Sequence, residues 1–550
     1  MISECINELN SNDYTEFIFR DGVFARNGLD LSDYCITTID EKWSVISVRN
    51  DDVGRPEYES FGYSVQPLIY GLTDIGAVNA TGVLRIREQP VLGLTGAGTC
   101  IAVIDTGINW RHLSFVNKNN TSKIRVLWDQ ETDRIYDTDM INRSLASQTS
   151  DIPGDEIGHG TYTAGIACGN VNSAVFFSGV APGAELIVVK VKQAKQNLRD
   201  FYYVKDGVPA YSEVDIMRGL NFVKQYAKEN GLPVSIIIGF GTSLGSHSGA
   251  SPLSNMIADI SGQSGTCVTL SAGNEGGEGL HFSGRTEGNV PARSEIRIGR
   301  NVKGFTANVW SKAPYVFTVE IISPSGQVVG RIPARNETTR LVFPFEDTVI
   351  YVYYRRYESV SGANLITLRF DAPAEGIWVL NFYNNTGTPG DVDAWIMNRS
   401  LIGEEVFFLT PDVYTTITDP GNLAPAITVT AYDYRDNSLY GDNGRGNNWY
   451  GIIKPDFAAP GVDITVPSYI GDNRYDIRSG TSIAAGFYGG MASLFLEYGI
   501  IRGNIPYIGT NEIRNITIDG CEQLPGIPFP NREWGYGRVN IYNSIEKIRE

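Results

Sequence analysis

Three residues of this chain stand in settings that would let them share a proton. Asp105 closes the apolar run TCIAVI (99–104) in VIDTG, so its carboxylate can be shielded from water while it hydrogen-bonds one nitrogen of an imidazole. Such an aspartate fixes the tautomer of a histidine and stabilises the imidazolium that forms in a reaction. His159 lies in DEIGHGTYTAGIACG, between Gly158 and Gly160 and ahead of Ala164, Gly165, Ala167 and Gly169. These small residues let a helix pack closely while the imidazole faces a cleft. Ser482 lies in RSGTSIAAG at the start of a helix, where backbone N–H groups favour a developing oxyanion. A serine hydroxyl is a poor nucleophile until a positioned base takes its proton, hence the demand for His159.

A fourth pattern, SAGNEGG (271–277), puts Asn274 after an apolar run in a glycine-rich loop, where its amide could donate to the oxyanion beside the Ser482 N–H. Taken singly, each residue has an ordinary structural explanation: a turn aspartate, a surface histidine, an N-cap serine, a turn asparagine. Four of them in this order call for a common one. Of the remaining histidines, His112 and His281 read as structural, and His247 in GTSLGSHSG as structural or lining the cleft.

The elements that must hold these groups are legible in the apolar pattern. Thr99–Ile104, AELIVVKV (184–191), VSIIIGF (234–240) and CVTLSAGN (267–274) are short buried runs, and Tyr211 to Asn230 carries a helical period that closes at Asn230-Gly231. Strand, helix, strand at this spacing predicts βαβ crossovers and a parallel sheet with helices on both faces. From about 282 to 410 the period changes to strands such as YVFTVEII (315–322), TVIYVYYRRY (348–357) and GIWVLNFY (376–383), separated by turn clusters, which predicts an inserted antiparallel sandwich or jelly roll. AITVTAYD (426–433) and the small-residue helix from Ser482 then resume the α/β layer. Residues 1–74 form a small strand-rich α+β unit.

At 550 residues, several structural units are expected. A net charge of −17 argues against nucleic-acid or anionic-membrane partners. No apolar stretch reaches the length of a membrane span, and the N-terminus lacks a signal-peptide pattern, so a soluble, leaderless protein of the cytoplasm or of a bacterial forespore or spore is expected. The six cysteines show no metal-ligand spacing and suit a reducing compartment. No metal or other cofactor is expected for the chemistry, and a structural calcium is left open because no loop has an EF-hand pattern.

The motifs VIDTGI (103–108), GHGTYTAGI (158–166), SAGNEG (271–276) and SGTSIAAG (479–486) together resemble the subtilase family, whose Asp, His, Ser order is that of subtilisin. GVAPGAEL (179–186) and KPDFAAPGVDI (454–464) add to the likeness, which covers about 84–281 and 411–545. The resemblance implies a serine endopeptidase with Asp105, His159 and Ser482 as triad and Asn274 as oxyanion donor. It implies a peptide substrate paired with backbone near Phe240–Ser243, and a P1 pocket bordered by Gly239, Phe240, Gly241, Ser271, Ala272 and Gly273, read as roomy and uncharged. It also implies that 1–74 is a propeptide lying in the cleft, cut within Tyr63–Val78 and most readily near Leu72–Gly76, ahead of a catalytic domain in two parts, 75–281 and 411–550, around the insert 282–410. The leaderless layout with propeptide and insert is similar to the clostridial Csp proteases, which process a zymogen in spore germination. Two positions depart from the common pattern, Gly486 where many subtilases have proline, and Tyr162. The rival readings are a pseudoprotease or signalling module whose cleft stays blocked by the retained propeptide, and a binding protein acting through the β insert.

Overall fold

A computed structural model of the chain describes residues 8–9, 11–20, 35–40, 42–51, 67, 69–72, 81–149, 151–403 and 405–549. Its centre is an eight-stranded sheet in the order Phe457–Pro460, Ile427–Tyr432, Thr266–Ser271, Val234–Ile238, Cys100–Asp105, Glu185–Lys190, Ile124–Asp129, Arg134–Asp137. All neighbours run parallel except the last pair. A parallel strand is buried on both faces, which is why the inner strands are buried along nearly their whole length and largely apolar. Along Cys100–Asp105, Cys100, Ala102 and Ile104 enter one core while Ile101 and Val103 enter the other.

The helices divide between those two faces. Glu213–Asn230 and Pro252–Ser261 cover the first, where Val214, Met217, Leu220 and Met256 are fully buried. The second face is covered by His159–Cys168 and Thr481–Leu496, called here the histidine helix and the serine helix. The serine helix is buried all round, consistent with its apolar composition. It seats directly on the sheet, since a Cβ at Gly489 would lie 2.4 Å from Ile237 Cγ1.

The helix predicted from Tyr211 begins two residues later. Tyr211–Ser212 is instead a short strand, and the Ser212 hydroxyl caps the helix by accepting from Val214 N–H. The far end stops at Gly231 with φ +61°, a left-handed C-cap.

Between Thr266–Ser271 and Ile427–Tyr432 the chain builds two antiparallel sheets. One has the order His281–Thr286, Gly390–Ile396, Gly304–Ser311, Asn364–Asp371, Thr348–Arg355, Thr338–Phe343. The other has the order Val328–Ile332, Phe317–Ile322, Gly376–Asn384, Ala292–Ile298, Val406–Phe408. Trp378 joins them, meeting Phe343 and Phe370 edge to face with ring centroids 5.0 and 5.6 Å apart. Their apolar core is continuous with that of the first face of the parallel sheet.

Near the N-terminus, Tyr14–Arg20, Trp43–Arg49 and Cys35–Thr38 form a small antiparallel sheet with Trp43–Arg49 in the middle. Cys35 is disulfide-bonded, a departure from the reduced cysteines expected of the sequence, whereas Cys100, Cys168, Cys267 and Cys521 are free. Among the described residues no helix is long and apolar enough to cross a membrane.

Candidate active site

Cys100–Asp105 and Val234–Ile238 are adjacent in the sheet, and the strands that follow each of them lie to opposite sides. The chain therefore opens a crevice at the carboxyl ends of these two strands, the usual place for a site in an α/β sheet. Asp105 ends the first strand and Gly239 follows the second.

Asp105, 1% exposed, accepts the Thr106 N–H at 2.7 Å, and its Oδ1 and Oδ2 lie 2.8 and 2.9 Å from His159 Nδ1. A carboxylate only accepts, so Nδ1 carries the proton and Nε2 is left as the basic nitrogen. Ser482 is fully buried, with Oγ 3.5 Å from the Gly239 carbonyl. The three side chains crowd around one point. A Cβ on Gly239 would lie 2.7 Å from His159 Cε1, 3.3 Å from Asp105 Oδ2 and 3.4 Å from Ser482 Oγ.

Asp155, which the sequence did not single out, sets the histidine helix in place. Its carboxylate accepts from Gly158 N–H, Thr161 N–H and the Thr161 and Thr106 hydroxyls at 2.7 to 3.0 Å. Thr106 Oγ1 also accepts from Gly160 N–H at 3.0 Å. One buried carboxylate thus caps the helix and ties it to the residue after Asp105. The signal was present in DEIGHG, an aspartate just ahead of a helix start.

At the serine helix, Asn274 Oδ1 accepts from both the N–H and the hydroxyl of Thr481, each at 3.1 Å. Thr481 Oγ1 also accepts from Gly273 N–H at 3.1 Å. With its oxygen held, the Asn274 carboxamide offers Nδ2 as a donor, and among the described residues Nδ2 has no hydrogen-bond partner. This donor and the first N–H groups of the helix are the kind of pair that stabilises an oxyanion.

The expected substrate edge is already paired. Ile69–Leu72 lies antiparallel to Phe240–Gly241, with Leu72 opposite Phe240 and Gly71 opposite Gly241. Its other side pairs with Tyr211–Ser212, Tyr70 opposite Tyr211 and Ile69 opposite Ser212. The middle strand of this three-stranded sheet belongs to the N-terminal part of the chain, and the second edge, Tyr211–Ser212, is a strand where the sequence pattern predicts the start of a helix. Most of the expected cleavage stretch, 63–66, 68 and 73–78, lies outside the described residues.

Gly241 and Gly273, one from each of the expected pocket walls, both lie against Thr418, so the gap between them is not roomy. Thr418 fills it. Its Oγ1 would lie 2.3 Å from a Cβ on Gly241 and 2.5 Å from one on Gly273. Glu275 Oε2 closes the same space, 2.7 Å from that second Cβ. Burial, with Glu278 adding to it, pushes the Glu275 carboxyl up to about 8. Nothing local in the sequence marks Thr418, which arrives from beyond the two antiparallel sheets.

His247 does not line the cleft. It is 1% exposed and stacks on Trp395 at 4.3 Å, and His281 stacks on the other face of that indole at 4.4 Å. Burial holds His247 down to about 3, a neutral ring whose Nε2 bonds the Ser243 carbonyl at 2.9 Å. His112 is buried too, with Nε2 2.7 Å from the Arg474 carbonyl. Of the two unusual positions, Gly486 lies against the histidine helix, its Cβ site 3.0 Å from the Thr163 carbonyl, and Tyr162 packs edge to face on Tyr469.

An aspartate, histidine and serine converging over the carboxyl edge of a parallel sheet is the layout of a serine hydrolase. The chain belongs to the subtilase family, whose model matches residues 96–329 and 410–537. The structure of the CspB protease of Clostridium perfringens is similar over 86% of this chain and 98% of that one, at 28% identity and a TM-score of 0.77. Subtilisin BL of Lederbergia lenta is 30% identical over 256 residues, 46% of this chain and 74% of that protein. Subtilisin-like protease 9 of Arthroderma benhamiae is 27% identical over 244 residues, 44% of this chain, and the match spans about half of that relative's length, 48%.

Proposed function

We propose that the chain is a serine endopeptidase that hydrolyses peptide bonds through an acyl-enzyme on Ser482. One observation carries this reading: Asp105, His159 and Ser482 surround a single point beside Gly239, with Asn274 bonded to the residue before the nucleophile. His159 Nε2 takes the Ser482 proton as Oγ attacks the peptide carbon, and the carbonyl oxygen gains its charge facing Asn274 Nδ2 and the helix N-terminus. Asp105 stabilises the imidazolium, which then gives its proton to the leaving amine. Water enters, His159 again acts as base, and the acid product leaves.

The N-terminal unit, 1–74, is on this reading a propeptide, with Ile69–Leu72 as the strand it lays in the cleft by β-augmentation. The catalytic layer is then 75–281 with 411–550, and 282–410 is an inserted jelly roll. The similarity to CspB and the Csp-type layout extend the proposal to zymogen activation in spore germination, inside a bacterial cytoplasm, forespore or spore. A second reading is favoured by the same cleft strand: a module whose cleft stays blocked by the retained segment.

Intact mass separates the two. A fragment of about 70 residues released from wild type but not from Ser482→Ala supports the endopeptidase. A wild-type chain that stays whole and inert toward peptides supports the blocked module.

A further inference from the structure

The inserted unit reaches the oxyanion loop through a short series of buried hydrogen bonds. Glu275 Oε2 accepts from the Asn274 N–H at 2.7 Å, and Glu275 Oε1 accepts from Asn398 Nδ2, also at 2.7 Å. Asn398 Oδ1 accepts in turn from the Ser243 N–H at 2.8 Å, close behind the edge Phe240–Gly241. Glu275, Asn398 and Ser243 are 7%, 1% and 3% exposed, so water does not substitute for any of these bonds. Asn398 follows the strand Gly390–Ile396 and opens the short helix Arg399–Ile402, both in the insert. Next to it, Arg399 donates to the Glu278 carbonyl at 3.4 Å, a second tie to the same loop.

A buried carboxyl is a poor means of joining two units for stability alone, because apolar residues of similar volume hold such contacts at least as well. What Glu275 does hold is the backbone of Asn274. We infer that Asn398 and Glu275 are positioning residues that fix the Asn274 loop against the Phe240–Gly241 edge, so that the insert takes part in stabilising the oxyanion. The inference rests on the endopeptidase reading above. It gives the insert a role in the chemistry in place of a merely attached module.

The test is steady-state hydrolysis of a peptide nitroanilide by the full-length protein, with Asn398→Ala made in wild type and in Asn274→Ala. Positioning through Asn274 predicts that Asn398→Ala lowers kcat about tenfold to a hundredfold with KM nearly unchanged. In the Asn274→Ala background the same change should cost less than about twofold, since the donor it positions is gone. Glu275→Gln, which keeps one acceptor, should lie between wild type and Glu275→Leu. It also decides the matter should Asn398→Ala fail to fold. Equal fold-losses in both backgrounds, a loss confined to KM, or unchanged kcat in both Asn398→Ala and Glu275→Gln would overturn the positioning role while leaving the endopeptidase intact. A wild type that neither cleaves itself nor turns over substrate would overturn the endopeptidase reading and this inference with it.

Discussion

Gly239 and His159 are packed so closely that a methyl group on the glycine would come within 2.7 Å of the imidazole Cε1. No left-handed backbone angle accompanies this glycine, so its role is space and not conformation. Gly239→Ala should therefore fold and still displace the imidazole from Asp105 and Ser482. Peptide hydrolysis should fall about a hundredfold, the cost of a small misplacement of a reacting group. Thermal melting beside steady-state rates checks this, and an active alanine variant would show that the imidazole can move without loss.

Ser482→Ala should abolish hydrolysis and release of the N-terminal fragment together. The loss in kcat should be on the order of 10⁶, the figure known for subtilisin's own serine. Intact mass and turnover are both read, and residual cleavage in this variant would assign the nucleophile elsewhere.

Asn274→Ala should leave KM near wild type and lower kcat by about 10² to 10³, again the handicap measured for the corresponding asparagine of subtilisin. Its carboxamide oxygen is bonded to Thr481, so some loosening of the serine helix start is also expected. Unchanged turnover would remove it from the oxyanion role.

Thr418 closes the gap between Gly241 and Gly273, so substrates with a small residue before the scissile bond should be preferred. Thr418→Gly should raise kcat/KM for a phenylalanine substrate relative to an alanine one by about tenfold or more. A matched pair of peptide nitroanilides reads the ratio, and a ratio that does not move would take Thr418 out of the pocket.

The raised Glu275 carboxyl predicts a pH dependence of stability. The folded chain holds a proton up to about 8 that the unfolded chain releases near 4.5. This contribution is complete below the lower value and is lost as pH rises through the upper one. Glu275→Gln has no such proton, so its melting temperature should gain on wild type between roughly pH 5 and pH 8. A difference that stays constant across that range would mean Glu275 titrates normally. Glu278 and Arg399 face the same site and are left unchanged in the comparison.

The parallel layer and the four motif residues were legible because they are local. The inner strands are largely apolar, Asp105, His159 and Ser482 sit at a strand end or helix start, and Asn274 sits in the glycine-rich loop just past a strand, so the signals lie within a few residues. The antiparallel unit was legible as strands for the same reason, although its sheet order was not. Thr418 and Asn398 were not legible, because each acts across the fold on residues far from it in sequence. Tyr211–Ser212 was misread because its strand character comes from pairing with Ile69–Tyr70, a tertiary contact, while its neighbours carry a helical period. The sequence leaves His247 between cleft and core, since only its stacking partner, Trp395 on the strand Gly390–Ile396, decides it.

The bond from Thr481 to Asn274 spans 207 positions, and the whole antiparallel unit lies within that span. Closing so long a loop carries an entropic cost that is met only once the intervening segment has folded, and contacts of this separation form late. During synthesis, Asp105 and His159 can be in place while the serine helix is still unmade. On the proposed endopeptidase reading, the site around Ser482 is therefore completed only after the antiparallel unit between Asn274 and Thr481 has been made.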